Sequence, residues 1–354
     1  MQAREEQKSR TLQIKIPIGQ TLLLSVLILV LMVGAAEAVA RYLNSTGSGL
    51  PSPSWGLYHY MIELKLHRLD KLIAGRGEAD VIFLGSSMVN RGINPKVFDE
   101  EFQRLTGKTV NSFNVGIPGI KSKDAYLLSK ILVDRYKPKL IVYGASLRDF
   151  DGQNEPTDIP ENPWIRYKTV GFNLDGWLRD HLLSYQYYLI YRNWMKEDFE
   201  TQLKARRYYD RRLTPKGYAR WDSVMGEGGP AWEEDAKTHF AHYFFDQPYL
   251  EALHQMLDQQ DHTTAFLVVE MPVESSFSLL YPRQQEDQDY FIQQMGAASQ
   301  EHGTLFWPTT NLVPIPEDGW YSKNHMNSTG ATAFSRWLAY QVFNASPDLE
   351  AMGR

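Results

Sequence analysis

Short apolar runs alternate with longer amphipathic stretches over much of the chain. Residues 81–85 are Val, Ile, Phe, Leu and Gly, and runs of the same kind occupy 110–116, 140–146, 265–272 and 304–308. Short runs that are rich in β-branched and aromatic residues and end at glycine or polar residues are typical of strands buried on both faces of a parallel sheet. The pattern therefore predicts strands at these positions.

Apolar residues recur at helical spacing between these runs. This spacing predicts helices at 58–74, 95–105, 123–136, 285–301 and 328–343. Because strands and helices alternate, the chain should form βαβ units, and the predicted fold class is α/β with a mainly parallel sheet.

Residues from about 150 to 250 do not follow this alternation and are crowded with Trp, Tyr and Arg. A loop of this length is rarely structureless inside a compact domain, so we predict a mostly helical insertion. Two interpretations stay open: the insertion covers the active edge of the sheet, or it is a purely structural subdomain.

One apolar stretch near the N-terminus is much longer than the others. It runs from Ile16 to Ala40 with Glu37 as its single charged residue, and at 1.5 Å per residue it is long enough to cross a ~30 Å hydrocarbon core. Basic residues are more frequent before it than after it, so the positive-inside tendency keeps residues 1–15 in the cytoplasm and exports the rest. Ala36–Glu37–Ala38 has the form of a signal-peptidase site, and a cleaved signal peptide is the alternative.

These features predict a cytoplasmic tail (1–15), a transmembrane anchor (16–40), a Ser/Gly/Pro-rich linker (41–57), one extracytoplasmic domain (58–346) and a short tail (347–354).

Composition excludes several classes of function. The formal net charge is -5 and no basic block is present, which argues against a nucleic-acid partner. The chain has no cysteine, so disulfides, thiolate metal sites and cysteine nucleophiles are excluded. His239 and His242 have a spacing that metals use, but the neighbouring sequence offers no third ligand. We therefore predict no metal and no cofactor.

Short polar blocks follow three of the predicted strands, and a fourth precedes the last helix. They are LGSS (84–87), NVGIPG (114–119), YGAS (143–146) and YSKNHMN (321–327). Open α/β sheets bind ligands at the carboxyl ends of their strands, so the first three blocks should meet at one edge. The doubled serine of the first block has two interpretations: it caps the next helix, or it presents a nucleophile at a sharp strand-to-helix turn.

This ordered set of blocks resembles the SGNH, or GDSL-like, hydrolases over roughly 80–150 and 262–343. It is most similar to their membrane-anchored branch, which includes DltD-like and alginate O-acetyltransferase-like proteins. The resemblance implies a three-layer αβα, flavodoxin-like fold with Ser87 as nucleophile and His325 as its base. It also implies oxyanion donors: the N–H of Ser87, a glycine that matches Gly119 with Gly116 as fallback, and a third-block asparagine that is replaced by Ser146.

The fourth block departs from the family pattern Asp-x-x-His, because Ser322 stands where the family has the carboxylate that orients the histidine. Asp318 is one substitute, and Asp149 or Asp151 could approach from the third block. A Ser–His dyad without a carboxylate and an inactive site are the other possibilities. Loss of the orienting carboxylate lowers turnover by about 10⁴ in a serine protease. Arg91, Arg148 and Asn114 are predicted to bind substrate, the arginines through an anionic group.

The sequence therefore predicts a single-pass protein of the inner (plasma) membrane whose bulk is periplasmic or extracellular. Its expected activity is that of a serine-dependent O-acyltransferase or esterase acting on acetyl groups of a cell-envelope or exported polysaccharide. The expected partners are an acyl donor, a glycan acceptor and a membrane-bound acyltransferase. The alternatives are a non-catalytic polysaccharide assembly or binding factor, and a lipase or thioesterase.

Overall fold

The computed structural model describes residues 17–46, 59–153, 157–196, 199–226, 240–309 and 312–345, with the side chains of 194, 196, 199–203, 205 and 206 left aside. The predicted cytoplasmic tail, most of the predicted linker and the C-terminal tail lie outside the described residues.

A five-stranded parallel sheet forms the centre of the domain. Its strands are β1 (Val81–Gly85), β2 (Ser112–Gly116), β3 (Leu140–Ala145), β4 (Ala265–Glu270) and β5 (Leu305–Trp307). The spatial order is β2-β1-β3-β4-β5 and each neighbouring pair is parallel. This is the flavodoxin-like order, in which the direction of winding reverses between β1 and β3. All of the predicted strands are present.

Helices cover both faces of the sheet, so the domain has the three predicted αβα layers. On one face lie α2 (Tyr60–Arg76), α5 (Ser122–Tyr136), α10 (Gln247–Leu257) and α11 (Gln285–Glu301). On the other lie α3 (Ser87–Gly92), α4 (Pro95–Thr106) and α12 (Ser328–Asn344). Ile82 and Leu84 pack into the first core and Val81 and Phe83 into the second. This two-sided burial explains why β1 is apolar throughout.

The described residues between β3 and α10 are mostly helical, as predicted. They form the helices α6 (Pro163–Thr169), α7 (Leu174–His181), α8 (Leu183–Lys196) and α9 (Phe199–Arg212). The irregular stretch 213–226 then returns across the domain. The Asn114 N–H donates to the Lys216 carbonyl at 3.0 Å, and the Ala219 N–H donates to the Asn90 carbonyl at 2.9 Å. The insertion is thereby joined to β2 and α3.

Helix α1 (Ile18–Ser45) is the one helix in the described part of the chain that is long and apolar enough to cross a membrane. A signal sequence meets the same criterion. The helix continues beyond residue 40, so the first residues of the predicted linker are helical. Glu37 accepts hydrogen bonds from the backbone N–H of Leu183 at 3.2 Å and of Ser184 at 2.9 Å, and it pairs with Arg41 at 2.8 Å. The charge of Glu37 therefore caps helix α8.

Candidate active site

Two side chains from distant parts of the sequence meet at the carboxyl end of β1. Ser87 is the first residue of α3, and one residue, Ser86, separates it from the end of β1. The side chain of Ser86 makes no capping hydrogen bond at the N-cap position. His325 lies in the short strand β7 (His325–Met326). Ser87 Oγ is 2.8 Å from His325 Nε2. The structure thus brings these two residues together beside the point between β1 and β3 where winding reverses, as the strand order predicts.

The histidine is held by a two-stranded hairpin. Strand β6 (Trp320–Ser322) pairs antiparallel with β7, and Ser322 is the register partner of His325. Ser322 Oγ lies 3.0 Å from His325 Nδ1 and 3.0 Å from Asn324 Oδ1.

The directions of the hydrogen bonds among Asn324, Ser322 and His325 determine the tautomer of the imidazole. An amide oxygen only accepts, so the Ser322 hydroxyl donates to Asn324 and its oxygen accepts the Nδ1 proton of His325. His325 Nε2 then carries the lone pair that faces Ser87. This is the tautomer that a general base needs.

The carboxylates proposed from sequence as orienting groups lie elsewhere. Asp318 is exposed in the 3₁₀ turn Glu317–Gly319, and its backbone carbonyl accepts from Asn327 Nδ2 at 2.6 Å. Asp151 Oδ1 accepts the Gln153 N–H at 3.0 Å. In this structure Asp318 does not orient the ring, because Ser322 holds that position.

Asp149 is fully buried in the 3₁₀ turn Leu147–Phe150 that follows β3. Its carboxylate accepts the Ser146 N–H at 3.0 Å. Burial raises the pKa of Asp149 to about 6, although the neighbouring Arg148 and Ser146 oppose the rise. Asp149 is therefore a titratable group beneath the site, without a contact to the imidazole.

The electrostatic surroundings keep His325 neutral. Burial holds the pKa of His325 well below its usual value, and the positive charges of Arg91 and Arg148 lower it further. Arg91 lies one helical turn after Ser87, and Arg148 lies in the turn after β3. Both predicted substrate-binding arginines thus act on the electrostatics of the histidine.

The insertion reaches the site through an aromatic contact. The Arg91 guanidinium lies 4.2 Å from the ring centre of Trp221 and 5.2 Å from that of Tyr321. Arg212 lies 4.1 Å from the same Trp221 ring. Cation–π contacts of this kind hold an arginine in place without neutralising its charge. Trp221 of the insertion therefore fixes a residue next to the serine and the histidine.

The predicted oxyanion donors differ in availability. The Gly116 N–H already donates to Asn114 Oδ1 at 2.8 Å, so this fallback donor is engaged. Gly119 lies in an exposed turn with a φ of 88°, a conformation that favours glycine. Ser146 is buried at the start of the turn after β3. Gly119 and Ser146 stay predictions as oxyanion donors.

Asn114 has a structural role and not the substrate-binding role predicted for it. The residue is fully buried, and its side-chain amide donates to the carbonyls of Val89 and Ile93, each at 2.7 Å. Since its amide oxygen accepts from Gly116, the side chain ties the second block to helix α3 and is not directed at a substrate.

Lys65 is a functional candidate that the sequence analysis missed. It is fully buried on α2, and its Nζ donates to Asn90 Oδ1 at 2.7 Å, to the Asn114 carbonyl at 3.1 Å and to the Gly217 carbonyl. Burial lowers the pKa of Lys65 well below its usual value. Its ammonium joins α2, α3, β2 and the insertion beneath the site. A lysine within the apolar face of a predicted helix was the available signal.

A separate open groove of about 1930 Å³ lies alongside α2, α4 and α12. Its lining does not include Ser87 or His325 and contains several basic residues, among them Arg68, Lys71, Lys96 and Arg336.

No protein-family model and no curated protein matches the chain. Among solved structures it is similar to a lipase/acylhydrolase from Enterococcus faecalis, with a TM-score of 0.36 and 9% identity over 75% of this chain and 96% of that one. It is also similar to a gut microbial diltiazem-metabolizing enzyme, with a TM-score of 0.36 and 12% identity over 76% of this chain and 47% of that one. At these values the likeness carries no inference about activity, which must come from the geometry of the site.

Proposed function

We propose that the protein is a serine-dependent esterase or O-acyltransferase with Ser87 as nucleophile and His325 as general base. The observation that carries this proposal is the hydrogen-bonded chain from Ser87 through His325 to Ser322 at the carboxyl end of β1. A serine hydroxyl becomes an effective nucleophile when an oriented base accepts its proton, and this arrangement supplies both the base and its orientation.

The reaction proceeds in two steps, acylation and deacylation of Ser87. Ser87 Oγ attacks the acyl carbonyl while its proton passes to His325 Nε2, and the imidazolium then gives that proton to the leaving oxygen. Water or a glycan hydroxyl next attacks the acyl-Ser87 ester and loses its proton to His325. The imidazolium returns that proton to Ser87 Oγ as the acyl–oxygen bond breaks. Water gives an esterase, and a glycan hydroxyl gives an acyltransferase. The oxyanion of each tetrahedral intermediate requires preorganised N–H or O–H donors, a role we assign to Ser87 N–H, Gly119 and Ser146.

The substrate we propose is an acetyl ester of a cell-envelope polysaccharide. Helix α1 supports an envelope location because its apolar side chains are exposed over most of its length. The hydrogen bonds from α8 to Glu37 support a fixed position of the insertion at the C-terminal end of helix α1. Exposed tyrosines of the insertion, Tyr188 and Tyr191, provide aromatic faces of the kind on which sugar rings stack. The partners we propose are an acyl donor, a glycan acceptor and a membrane-bound acyltransferase.

A fluorophosphonate serine probe tests the catalytic proposal directly. The full-length protein in detergent should be labelled, and peptide mass spectrometry should place the adduct on Ser87. Ser87→Ala should abolish labelling, whereas Ser86→Ala, the neighbouring serine, should keep the adduct on Ser87. Absence of labelling in folded wild-type protein would remove the proposal.

Membrane topology needs its own measurement. A reporter that is active only in the cytoplasm should be inactive when fused to the C-terminus, and the protein should sediment with membranes as an uncleaved chain. An active reporter would contradict export of the domain. Recovery of a soluble chain that lacks its first residues would favour the cleaved signal peptide.

The second candidate is a non-catalytic factor that binds an envelope polysaccharide. It is favoured by Ser322 in place of a carboxylate and by the open groove, which lies apart from the Ser87–His325 pair. Polysaccharide binding that persists in Ser87→Ala and is lost on substitution of Arg68 and Arg336 together, with no serine-probe labelling of wild type, would establish this function instead.

A further inference from the structure

Two histidines and two carboxylates gather at the ends of neighbouring helices, far from the Ser87 site. His254 is in the last turn of α10, and Asp258 directly follows that helix. Glu301 is the last residue of α11 and His302 is its C-cap. Because α10 leads into β4 and α11 into β5, the cluster lies at the amino-terminal edge of the parallel sheet, opposite the carboxyl edge that holds Ser87.

The three inner side chains are spaced like ligands of one ion. His254 Nδ1 lies 2.9 Å from His302 Nε2 and 3.7 Å from Glu301 Oε2. One ligand atom from each of the three residues lies within 4.8 Å of the other two. Ligands in a tetrahedral Zn²⁺ site, with bonds of about 2.0–2.1 Å, are about 3.3 Å apart. To reach this spacing, the distance between the two histidine nitrogens must increase by about 0.4 Å, and the distance from His254 Nδ1 to the Glu301 carboxylate must decrease by about 0.4 Å. Rotation of side chains can make these changes, since the Glu301 side chain is 70% exposed.

Asp258 supplies the outer support that a metal-binding histidine usually has. Its Oδ1 lies 3.2 Å from His302 Nδ1. A carboxylate at this nitrogen keeps the proton on Nδ1, so His302 Nε2 presents its lone pair toward His254 and Glu301. The C-terminal ends of two helices also meet here, and the negative ends of their dipoles favour a cation.

We propose that His254, Glu301 and His302 form a binding site for a zinc-class divalent cation, with water as fourth ligand and Asp258 orienting His302. Without the ion, the His254 Nδ1 proton is shared with His302 Nε2. On binding, that proton moves to His254 Nε2 through solvent, and both facing nitrogens donate lone pairs to the ion. The sequence predicts no metal because these residues lie on separate helices that only the fold brings together.

The position of the site indicates that the cation would stabilise the fold and take no part in catalysis. It joins the ends of α10 and α11, which lead into adjacent strands of the sheet, and it lies on the opposite edge from the candidate catalytic residues. Binding should therefore raise thermal stability and leave the rate of probe labelling at Ser87 unchanged.

The test uses full-length protein in detergent, purified with a tag that contains no histidine. Co²⁺ titration should produce the visible absorption bands of a tetrahedral site, and Zn²⁺ should abolish them and raise the melting temperature. His254→Gln and His302→Gln should each remove both effects. Asp258→Asn should weaken affinity about 10–100-fold.

His262→Gln is the matched control, since His262 is an exposed histidine in the same connection between α10 and β4; it should bind like wild type. The proposal is overturned if wild type shows neither the cobalt bands nor a zinc-dependent shift, or if the His254→Gln/His302→Gln double variant retains them. Binding that is lost only in His262→Gln would also overturn it.

Discussion

Ser322 Oγ lies 3.0 Å from His325 Nδ1, in the place where a carboxylate would orient the ring. A hydroxyl there fixes the tautomer and the orientation of the imidazole. Because the hydroxyl donates its proton to Asn324, its oxygen can only accept the Nδ1 proton of the ring. It adds no formal negative charge, however, and so stabilises the imidazolium less than a carboxylate does. The site should keep the geometry of a catalytic triad with a weaker electrostatic contribution.

Ser322→Ala should lower turnover about tenfold, because one hydrogen bond of about 1–1.5 kcal/mol to the catalytic ring is lost in the transition state. Hydrolysis of p-nitrophenyl acetate measures this, with kcat and KM determined separately. The loss should appear in kcat. An unchanged kcat in folded Ser322→Ala would show that another group orients His325.

Ser322→Asp should raise turnover above wild type, since it restores a carboxylate beside Nδ1. The Asn324 amide must then turn to present its Nδ2 to the new carboxylate. Asp318→Asn is the control, because Asp318 is exposed and does not contact the ring; its turnover should stay within about twofold of wild type. A loss of orders of magnitude in Asp318→Asn would restore Asp318 as the orienting carboxylate.

The activity should persist into mildly acidic solution. Only neutral His325 accepts the Ser87 proton, and burial, with Arg91 and Arg148, holds its pKa well below the usual value. The acid limb of kcat/KM against pH should therefore lie well below pH 6.5. Arg148→Gln should move that limb to higher pH, because a positive charge that opposes protonation is removed. An acid limb at or above pH 6.5 in wild type would contradict this account.

The sequence predicts the strands well because a strand covered on both faces leaves an unbroken apolar run, as in Val81–Gly85. It also predicts the meeting of Ser87 and His325, since parallel strands bring their carboxyl ends to one edge. It could not predict Ser322 as the partner of the ring, because that contact depends on the register of the β6–β7 hairpin. The hydrogen-bond partners of Lys65 and Asn114 were equally hidden, since both residues contact backbone groups of the insertion.

Asp149 should make stability depend on pH. Its folded pKa of about 6 lies above the unfolded value of 3.8, so the stability from its buried neutral form is fully present below about pH 4 and is lost as pH rises through about 6. A difference of about two units corresponds to about 3 kcal/mol.

Chemical denaturation of wild type and Asp149→Asn, followed by Trp fluorescence, measures this contribution. The free energy of unfolding of wild type, relative to the variant, should fall by about 2 kcal/mol between pH 4 and pH 7, which is most of that contribution. Asn keeps an oxygen for the Ser146 N–H, so that hydrogen bond is preserved. Asp318→Asn, the same change at an exposed site, is the matched control. A flat difference for Asp149→Asn would contradict the raised pKa.

Lys65 should support both stability and activity from beneath the site. Lys65→Met fits the apolar surroundings but leaves the buried oxygens of Asn90, Asn114 and Gly217 without this donor. Each unsatisfied buried acceptor costs about 1–3 kcal/mol, partly offset because a desolvated ammonium is removed. The net result should be a loss of a few kcal/mol in the free energy of unfolding, with slower serine-probe labelling because Asn90 belongs to the helix that begins at Ser87. Lys71→Met, an exposed lysine on the same helix, should change neither quantity. Equal stability and labelling in the two variants would show that the Lys65 hydrogen bonds do not organise the site.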